Sequence, residues 1–367
     1  MVALDTIFPA DAVEFCPHPD AQDIVVCGTY KLDEPAIEST EDPDDDFGGG
    51  ISSPPQRRRG QCLVYQLDPW NRLTGKGENR GIRQIYSLDL PAVLDMKWCH
   101  NTKSANPVLA IADSEGGVTL HEWQTTEKTL RQISAAECAS SDTLCLSLDW
   151  SDRRTQGSDL GSLVVSLSNG SLCLLSSRDG HDVSPTRSWY AHDYEPWVAA
   201  WNYWDTNIIY SGGDDLKWKG WDVRQDCSQP IFTNKGFDAG VTSIQNHPHI
   251  EHIIAVGSYD HSVKIFDVRK PLTALTQVDV GGGAWRIKWH PSPSRKGDAL
   301  IACTHDGVKT LHVDFDSGDF QSVVLKRFDA HESMAYGADW SYEFPRGGET
   351  TIGSCSFYDH VFHLWSG

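Results

Sequence analysis

Apolar and polar positions alternate along this chain in short runs, and one kind of run recurs: an apolar residue, a variable one, then an aromatic. It stands as Val13-Glu-Phe15, Met96-Lys-Trp98, Leu148-Asp-Trp150, Ala199-Ala-Trp201, Ile287-Lys-Trp289 and Ala338-Asp-Trp340. A seventh copy, Ile244-Gln-Asn246, has lost its aromatic. Alternation of this kind marks half-buried strands. Each copy leads into a second apolar strand and then a third. The fullest example is Tyr210-Ser-Gly-Gly-Asp-Asp-Leu-Lys-Trp-Lys-Gly-Trp-Asp-Val-Arg224, which reads as a strand, a tight polar turn, a second strand and an acidic stop. Within it Asp215 stands six residues before Trp221, an interval repeated by Asp260 and Phe266 and by Asp359 and Trp365.

One such sheet cannot bury both of its faces, so the pattern is meaningful only because it recurs near the propeller period of roughly 40–45 residues. The recurrence predicts an all-β fold, a seven-bladed WD-repeat β-propeller. In such a blade the turn Asp and an upstream His, here Asp215 and His192, share a hydrogen-bond network that reaches the Trp indole, which makes them architecture rather than catalysts. Residues 2 to 8 alternate as well but precede the first inner strand, while Trp365 is followed only by Ser366 and Gly367, which leaves the last blade without an outer strand. The amino-terminal strand is expected to supply it, closing the ring and removing an exposed sheet edge. Blades two and three keep the rhythm without the network, with Asn169-Gly-Ser171 in place of the turn Asp and Leu175 in place of the Trp. His247, His249 and His252 follow the fifth inner strand where blade six carries Trp289-His-Pro291, so they read as a turn on the opposite face rather than as zinc ligands.

Radial repetition adds small cores blade by blade, so all 367 residues are expected to form one domain. With 51 acidic against 31 basic residues and a net charge of -20, the chain is poorly suited to nucleic-acid phosphates or anionic membranes and better suited to a cationic partner. None of the ten cysteines forms a Cys-x-x-Cys pair, and Cys173, Cys303 and Cys355 sit in apolar strand-like runs, the pattern of reduced thiols in an intracellular compartment. The amino terminus lacks the basic region and apolar core of a signal peptide, and no stretch has the apolar length of a membrane span. A soluble, cytoplasmic monomer without metal or cofactor is the expectation.

Common catalytic signatures are missing from the sequence: no Gly-x-Ser-x-Gly elbow, phosphate loop, His-Glu-x-x-His or dinucleotide fingerprint is present. The seven-fold register nevertheless locates the mouth of the central channel. Four residues before each inner-strand aromatic or its equivalent come Asp11, Leu94, Leu146, Trp197, Thr242, Trp285 and Tyr336. Glu195, Arg286, His331 and Glu332 lie close in sequence, and the turns of the same face add Asp214, Tyr259, His305 and Tyr358. Aromatic faces flanked by carboxylates suit a quaternary ammonium, which the ring quadrupoles attract by about 0.5–2 kcal/mol per contact. The alternative is that these aromatics merely plug the channel.

The stretches that carry this rim are Trp197-Val-Ala-Ala-Trp-Asn-Tyr-Trp204 running into Tyr210-Ser-Gly-Gly-Asp-Asp215, Gly282-Gly-Ala-Trp-Arg-Ile-Lys-Trp-His-Pro291, Tyr336-Gly-Ala-Asp-Trp340 and Cys355-Ser-Phe-Tyr-Asp-His360. In them the chain resembles the diphthine methyl ester esterase family, also called the diphthine methyltransferase family, closely from blade four to blade seven and weakly before. The resemblance implies removal of a methyl ester from an over-methylated diphthine on a histidine of elongation factor 2, freeing the carboxylate for amidation to diphthamide. The implied side chain carries a trimethylammonium group, which agrees with the aromatic rim. Residue chemistry then nominates Arg286 to stabilise an oxyanion, His305 to activate water, and Asp214 to orient that base or bind the ammonium. Trp197, Trp285, Tyr336, Glu195, His331 and Tyr358 are the candidate substrate contacts. A non-catalytic WD-repeat adaptor presenting the same rim to a protein partner is the reading from a different class.

Between the second and third strands of blade one, residues 33–60 include Glu41-Asp-Pro-Asp-Asp-Asp46, Gly48-Gly-Gly50, Pro54-Pro55 and Arg57-Arg-Arg59. So little apolar content predicts a disordered loop whose arginines are a solvated charge run. Shortening the stretch from Asp42 to Pro55 should leave the melting temperature nearly unchanged. A large drop in that temperature would show instead that the loop packs on the propeller.

Overall fold

Seven antiparallel sheets form the blades of a propeller in a computed structural model that describes residues 1–33, 57–69, 80–154, 160–177, 182–345 and 347–367. The inner strands are Ala10–Phe15, Val93–Trp98, Cys145–Trp150, Val198–Trp201, Val241–Asn246, Arg286–Trp289 and Ala335–Trp340, and each contains one of the seven recurrent runs. The ring closes as the alternation predicts. Val2–Asp5 becomes the outer strand of blade seven, with Val2 opposite Leu364 and Asp5 opposite Val361. Most of the acidic loop lies outside the described residues. At its carboxyl end, however, the third strand of blade one starts at Arg58 rather than Gln61, and Lys31–Leu32 pairs with Arg59 and Arg58. Arg58 donates to the Tyr30 hydroxyl (2.9 Å) and Arg59 to Asp33 (2.9 Å), so these two arginines are strand residues with partners and not part of a free charge run.

Seven apolar clusters lie between blades, one at each junction. Leu148 and Trp150, for example, pack with Ala110 and Val118 of the preceding blade, and Val13 and Phe15 with Cys355 and Phe362 across the closure. Inner strands of neighbouring blades share no ladder. They are tied instead by side-chain to main-chain hydrogen bonds, and here the recurrent aromatic has its use. The indoles of Trp98, Trp150, Trp289 and Trp340 donate to the carbonyls of Glu14, Lys97, Gln245 and Lys288, each on the inner strand before, at 2.9–3.4 Å. Asn246, which lacks the ring, keeps the donor and reaches the Trp201 carbonyl at 2.5 Å. At the two remaining junctions a carboxylate reverses the direction: Asp149 accepts from the Trp201 amide (2.9 Å) and Asp339 from the Phe15 amide (2.8 Å).

The polar network of blade four is complete. His192 meets Asp215 through Nδ1 (2.8 Å) and the Ser211 hydroxyl through Nε2 (2.7 Å), and the Trp221 indole donates to the same hydroxyl (2.8 Å). Burial pushes the Asp215 carboxyl up, but its bond to His192 and the nearby lysines bring it down to about 2. The histidine cluster of blade five is architectural. His247 Nδ1 accepts from the amides of His249 (3.0 Å) and Ile250 (2.8 Å), and Nε2 reaches the Lys296 carbonyl in blade six (2.7 Å). His290 repeats the device, accepting from the Ser292 amide and reaching Thr350 in blade seven (2.8 Å). Burial lowers both rings to about 4, which keeps them neutral and able to accept at one nitrogen while donating at the other.

Trp221→Ala is therefore expected to lower unfolding free energy by about 3–5 kcal/mol, the cost of emptying a buried aromatic site. Trp221→Phe, which removes the indole donor and leaves a smaller ring, should cost less than Trp221→Ala but more than the hydrogen bond alone, which contributes about 1 kcal/mol. Denaturant titration reads both. A well-folded Trp221→Ala protein of native stability would remove Trp221 from the architecture.

Candidate functional site

Pairing of the first and second strands slips at the same place in five blades. Ala10 faces Thr29 and Ala12 faces Gly28, so Asp11 is left over. Leu94, Leu146, Thr242 and Tyr336 are left over in the same way. In blades four and six the ladder begins one residue after Trp197 and Trp285. A residue extruded from a ladder in this way is re-aimed out of the sheet. All seven of these register positions line one cavity of about 320 Å³ at the channel mouth, together with Tyr30, Leu144, Ser168, Glu195, Arg286 and Phe357.

The wall has two chemistries. Blades four, six, seven and one contribute a continuous arc of rings: Trp197 to Trp285 at 5.4 Å between centroids, Trp285 to Tyr336 at 5.0 Å, Tyr336 to Phe357 at 5.5 Å and Phe357 to Tyr30 at 6.1 Å. Trp197 and Trp285 meet across blade five, whose register residue is the small Thr242. Blades two and three supply Leu94, Leu144 and Leu146. The Trp197 indole is held by Asp214 (2.7 Å), and a Cβ at Gly240 would sit 2.3 Å from that carboxylate, so a larger residue there would displace it from the indole.

At the base of the cavity are Asp11 and Arg286. Arg286 also lines a small void of about 20 Å³ deeper in the channel, and its guanidinium lies 3.5 Å from Asp95. Below it the channel is filled by paired charges: Lys97 binds Asp95 (2.7 Å) and Glu14 (3.1 Å), and Lys288 binds Glu14 and faces Asp339 (3.7 Å). Burial pushes the Asp11 carboxyl up to about 7; Arg286 pulls against this, and Asp95 adds to it. Tyr336 is raised to about 12, by burial first and then by the neighbouring Asp11 carboxylate. Burial dominates the Asp11 carboxyl, yet the residue keeps part of its surface exposed and lines the cavity, so it is reachable from there.

The structure brings together five of the nine candidate site residues: Trp197, Trp285, Tyr336, Glu195 and Arg286. Asp214 supports Trp197 rather than facing a histidine base. His331 does not reach the cavity, because both ring nitrogens are engaged by Ser356 (2.6 Å) and Ser354 (2.8 Å), and Ser354 also accepts from the Trp365 indole. Tyr358 is 70% exposed on the outer rim, packed on Phe357. His305 lies on an exposed turn against His261 (5.6 Å) and is not among the cavity-lining residues. Asp11 stood at the right register position in the sequence but was not among the candidates, and Tyr30 and Phe357 enter from turns that the register does not number.

No family model matches the chain. It is 37% identical over 353 residues to diphthine methyltransferase of Mus musculus, covering 93% of this chain and 69% of that protein. Identity to diphthine methyltransferase of Homo sapiens is 36%, covering 92% and 74%. Identity to the diphthine methyltransferase homolog of Dictyostelium discoideum is 34%, covering 98% and 96%. Among solved structures, a chain of the mitotic checkpoint complex crystal structure matches all of this chain and 91% of its own length with a TM-score of 0.67. At 15% identity that likeness concerns the WD-repeat fold alone.

The cavity geometry makes Asp11 a group that titrates near neutrality. Following the aspartate carboxyl carbons by NMR should show one midpoint at about 7. Arg286→Gln removes the charge that favours the ionised form, so the midpoint should move to higher pH. A midpoint in the usual carboxylate range would mean that water reaches Asp11 freely.

Proposed function

Since the chain belongs to the diphthine methyltransferase family and so has its place in diphthamide biosynthesis, we propose that it hydrolyses the methyl ester of methylated diphthine on elongation factor 2. The product is the free carboxylate required for the final amidation. One observation carries the reading. The register positions of all seven blades converge on a single cavity with an arc of five aromatic rings, and the carboxylates of Asp11 and Glu195 stand beside it. A trimethylammonium group is bound by ring faces and by negative charge without needing a hydrogen-bond acceptor. At the base of the same cavity a guanidinium is available to the oxygen on which charge builds as an ester carbonyl is attacked. The acidic surface, net charge -20, supports a cationic protein partner.

Purified protein incubated with methylated elongation factor 2 should release methanol, and the substrate should lose the mass of about one methylene. Methanol identifies water as the acceptor. Transfer of the methyl group to another molecule, or no turnover as the adaptor alternative expects, would reject the hydrolysis. Trp285→Ala should raise KM by about 2- to 30-fold, the equivalent of one lost cation–π contact, while circular dichroism stays native.

A further inference from the structure

We propose that Asp11 is the general base of this cavity: it takes a proton from the attacking water and returns it to the departing methoxide, while Arg286 faces the carbonyl oxygen. The assignment rests on the ester-hydrolysis reading. Its first support is position. Asp11 is extruded from the ladder by the bulge between Ala10 and Ala12 and lines the cavity beside Arg286. Its second support is availability. Apart from Glu195, the other carboxylates at this end of the channel are engaged: Asp95 by Lys97 and the Leu148 amide, Glu14 by Lys97 and Lys288, Asp339 by the Phe15 amide, and Asp214 by the Trp197 indole. Among the described residues no hydrogen bond or ion pair engages the Asp11 carboxylate.

Glu195 also lines the cavity, but from blade four, and the charges that act on Arg286 are those of Asp95, Asp11 and Glu14. The two carboxylates therefore divide the work, Glu195 beside the aromatic arc for the ammonium and Asp11 beside the guanidinium for the ester. The groups facing Asp11 are Arg286 from blade six, Asp95 from blade two, Tyr336 from blade seven and the Cys27 thiol of its own blade. With burial outweighing Arg286, the carboxyl is divided between its two protonation states near pH 7, the poise at which a base both accepts and returns a proton readily.

The steps balance. The Asp11 carboxylate removes one proton of water as the water oxygen bonds to the ester carbon, and the carbonyl π pair moves onto oxygen opposite Arg286. When that pair returns, the carbon–methoxide bond breaks and protonated Asp11 gives its proton to the methoxide. Methanol leaves, the product is a carboxylic acid that ionises to solvent, and Asp11 is a carboxylate again.

The test compares wild type with Asp11→Asn on methylated elongation factor 2, with circular dichroism for fold. The expected result is a fall in kcat of about a hundred-fold or more with KM little changed, and a wild-type kcat/KM that rises with pH through about 7, because the ionised form is the active one. His305→Ala, outside the cavity, serves as the control and should retain wild-type kcat. A single wild-type turnover in water enriched in oxygen-18 should place the label in the product carboxylate, and this measurement stands even if Asp11→Asn does not fold. Label appearing first in the peptide containing Asp11 would make it a nucleophile and overturn the base. Undiminished turnover by folded Asp11→Asn would overturn Asp11 while leaving hydrolysis intact. Absence of methanol from wild type would overturn the hydrolysis and the base with it.

Discussion

Everything in this propeller depends on how inner strands of neighbouring blades are spaced, because no ladder of main-chain bonds joins them. The spacing is set by side-chain to main-chain bonds at every junction, most often an indole reaching the carbonyl of the blade before. Each bond contributes about 0.5–1.5 kcal/mol, a small amount beside the apolar cluster at the same junction. Its value is geometric. A hydrogen bond has a narrow range of lengths, so the ring diameter is fixed at every step. Asn246 shows that the constraint acts on the donor and not on the ring: the aromatic is gone and the bond remains.

A fixed diameter leaves a channel, and a channel lined by charges must satisfy them. Glu14, Lys97, Asp95, Lys288 and Asp339 do so mutually. Pairs of this kind seldom add net stability over apolar residues, because desolvation offsets the Coulomb attraction. Here they give the channel a filled interior and so give the cavity above it a base. The bulges then direct one residue per blade into that cavity, five by slippage of the pairing and two by starting the ladder late. Each inner strand thus serves the ligand at its start and the ring at its end, four residues on.

Much of this was legible in the sequence because it repeats. The seven inner strands, the closure by residues 2 to 8 and the register positions follow from periodicity alone. What did not repeat was harder to read. His331 resembles a rim residue by number, yet Ser354 and Ser356 occupy its two nitrogens, and serines carry no periodic signal. His305 sits in a turn whose direction the alternation does not specify. Asp11 was placed correctly but its chemistry was invisible, since the charges that matter, Asp95 and Arg286, come from blades two and six. The run Arg57 to Arg59 read as loop because strand pairing with Lys31 and Leu32 depends on the partner and not on the run's own polarity.

The closing strand has a consequence for when the protein becomes competent. Val2 pairs with Leu364, so this contact is among the most distant in sequence that the chain makes, and such contacts form late on the folding path. The seam that it seals joins blade seven to blade one. Asp11 and Tyr30 stand on one side of that seam, Tyr336 and Phe357 on the other. Six folded blades and an open seventh would hold Asp11, Tyr30, Trp197 and Trp285 in place but would lack Tyr336 and Phe357, which bridge Trp285 to Tyr30. Trp285 and Tyr30 are joined through the two rings of blade seven, so the aromatic arc is continuous only in the closed circle.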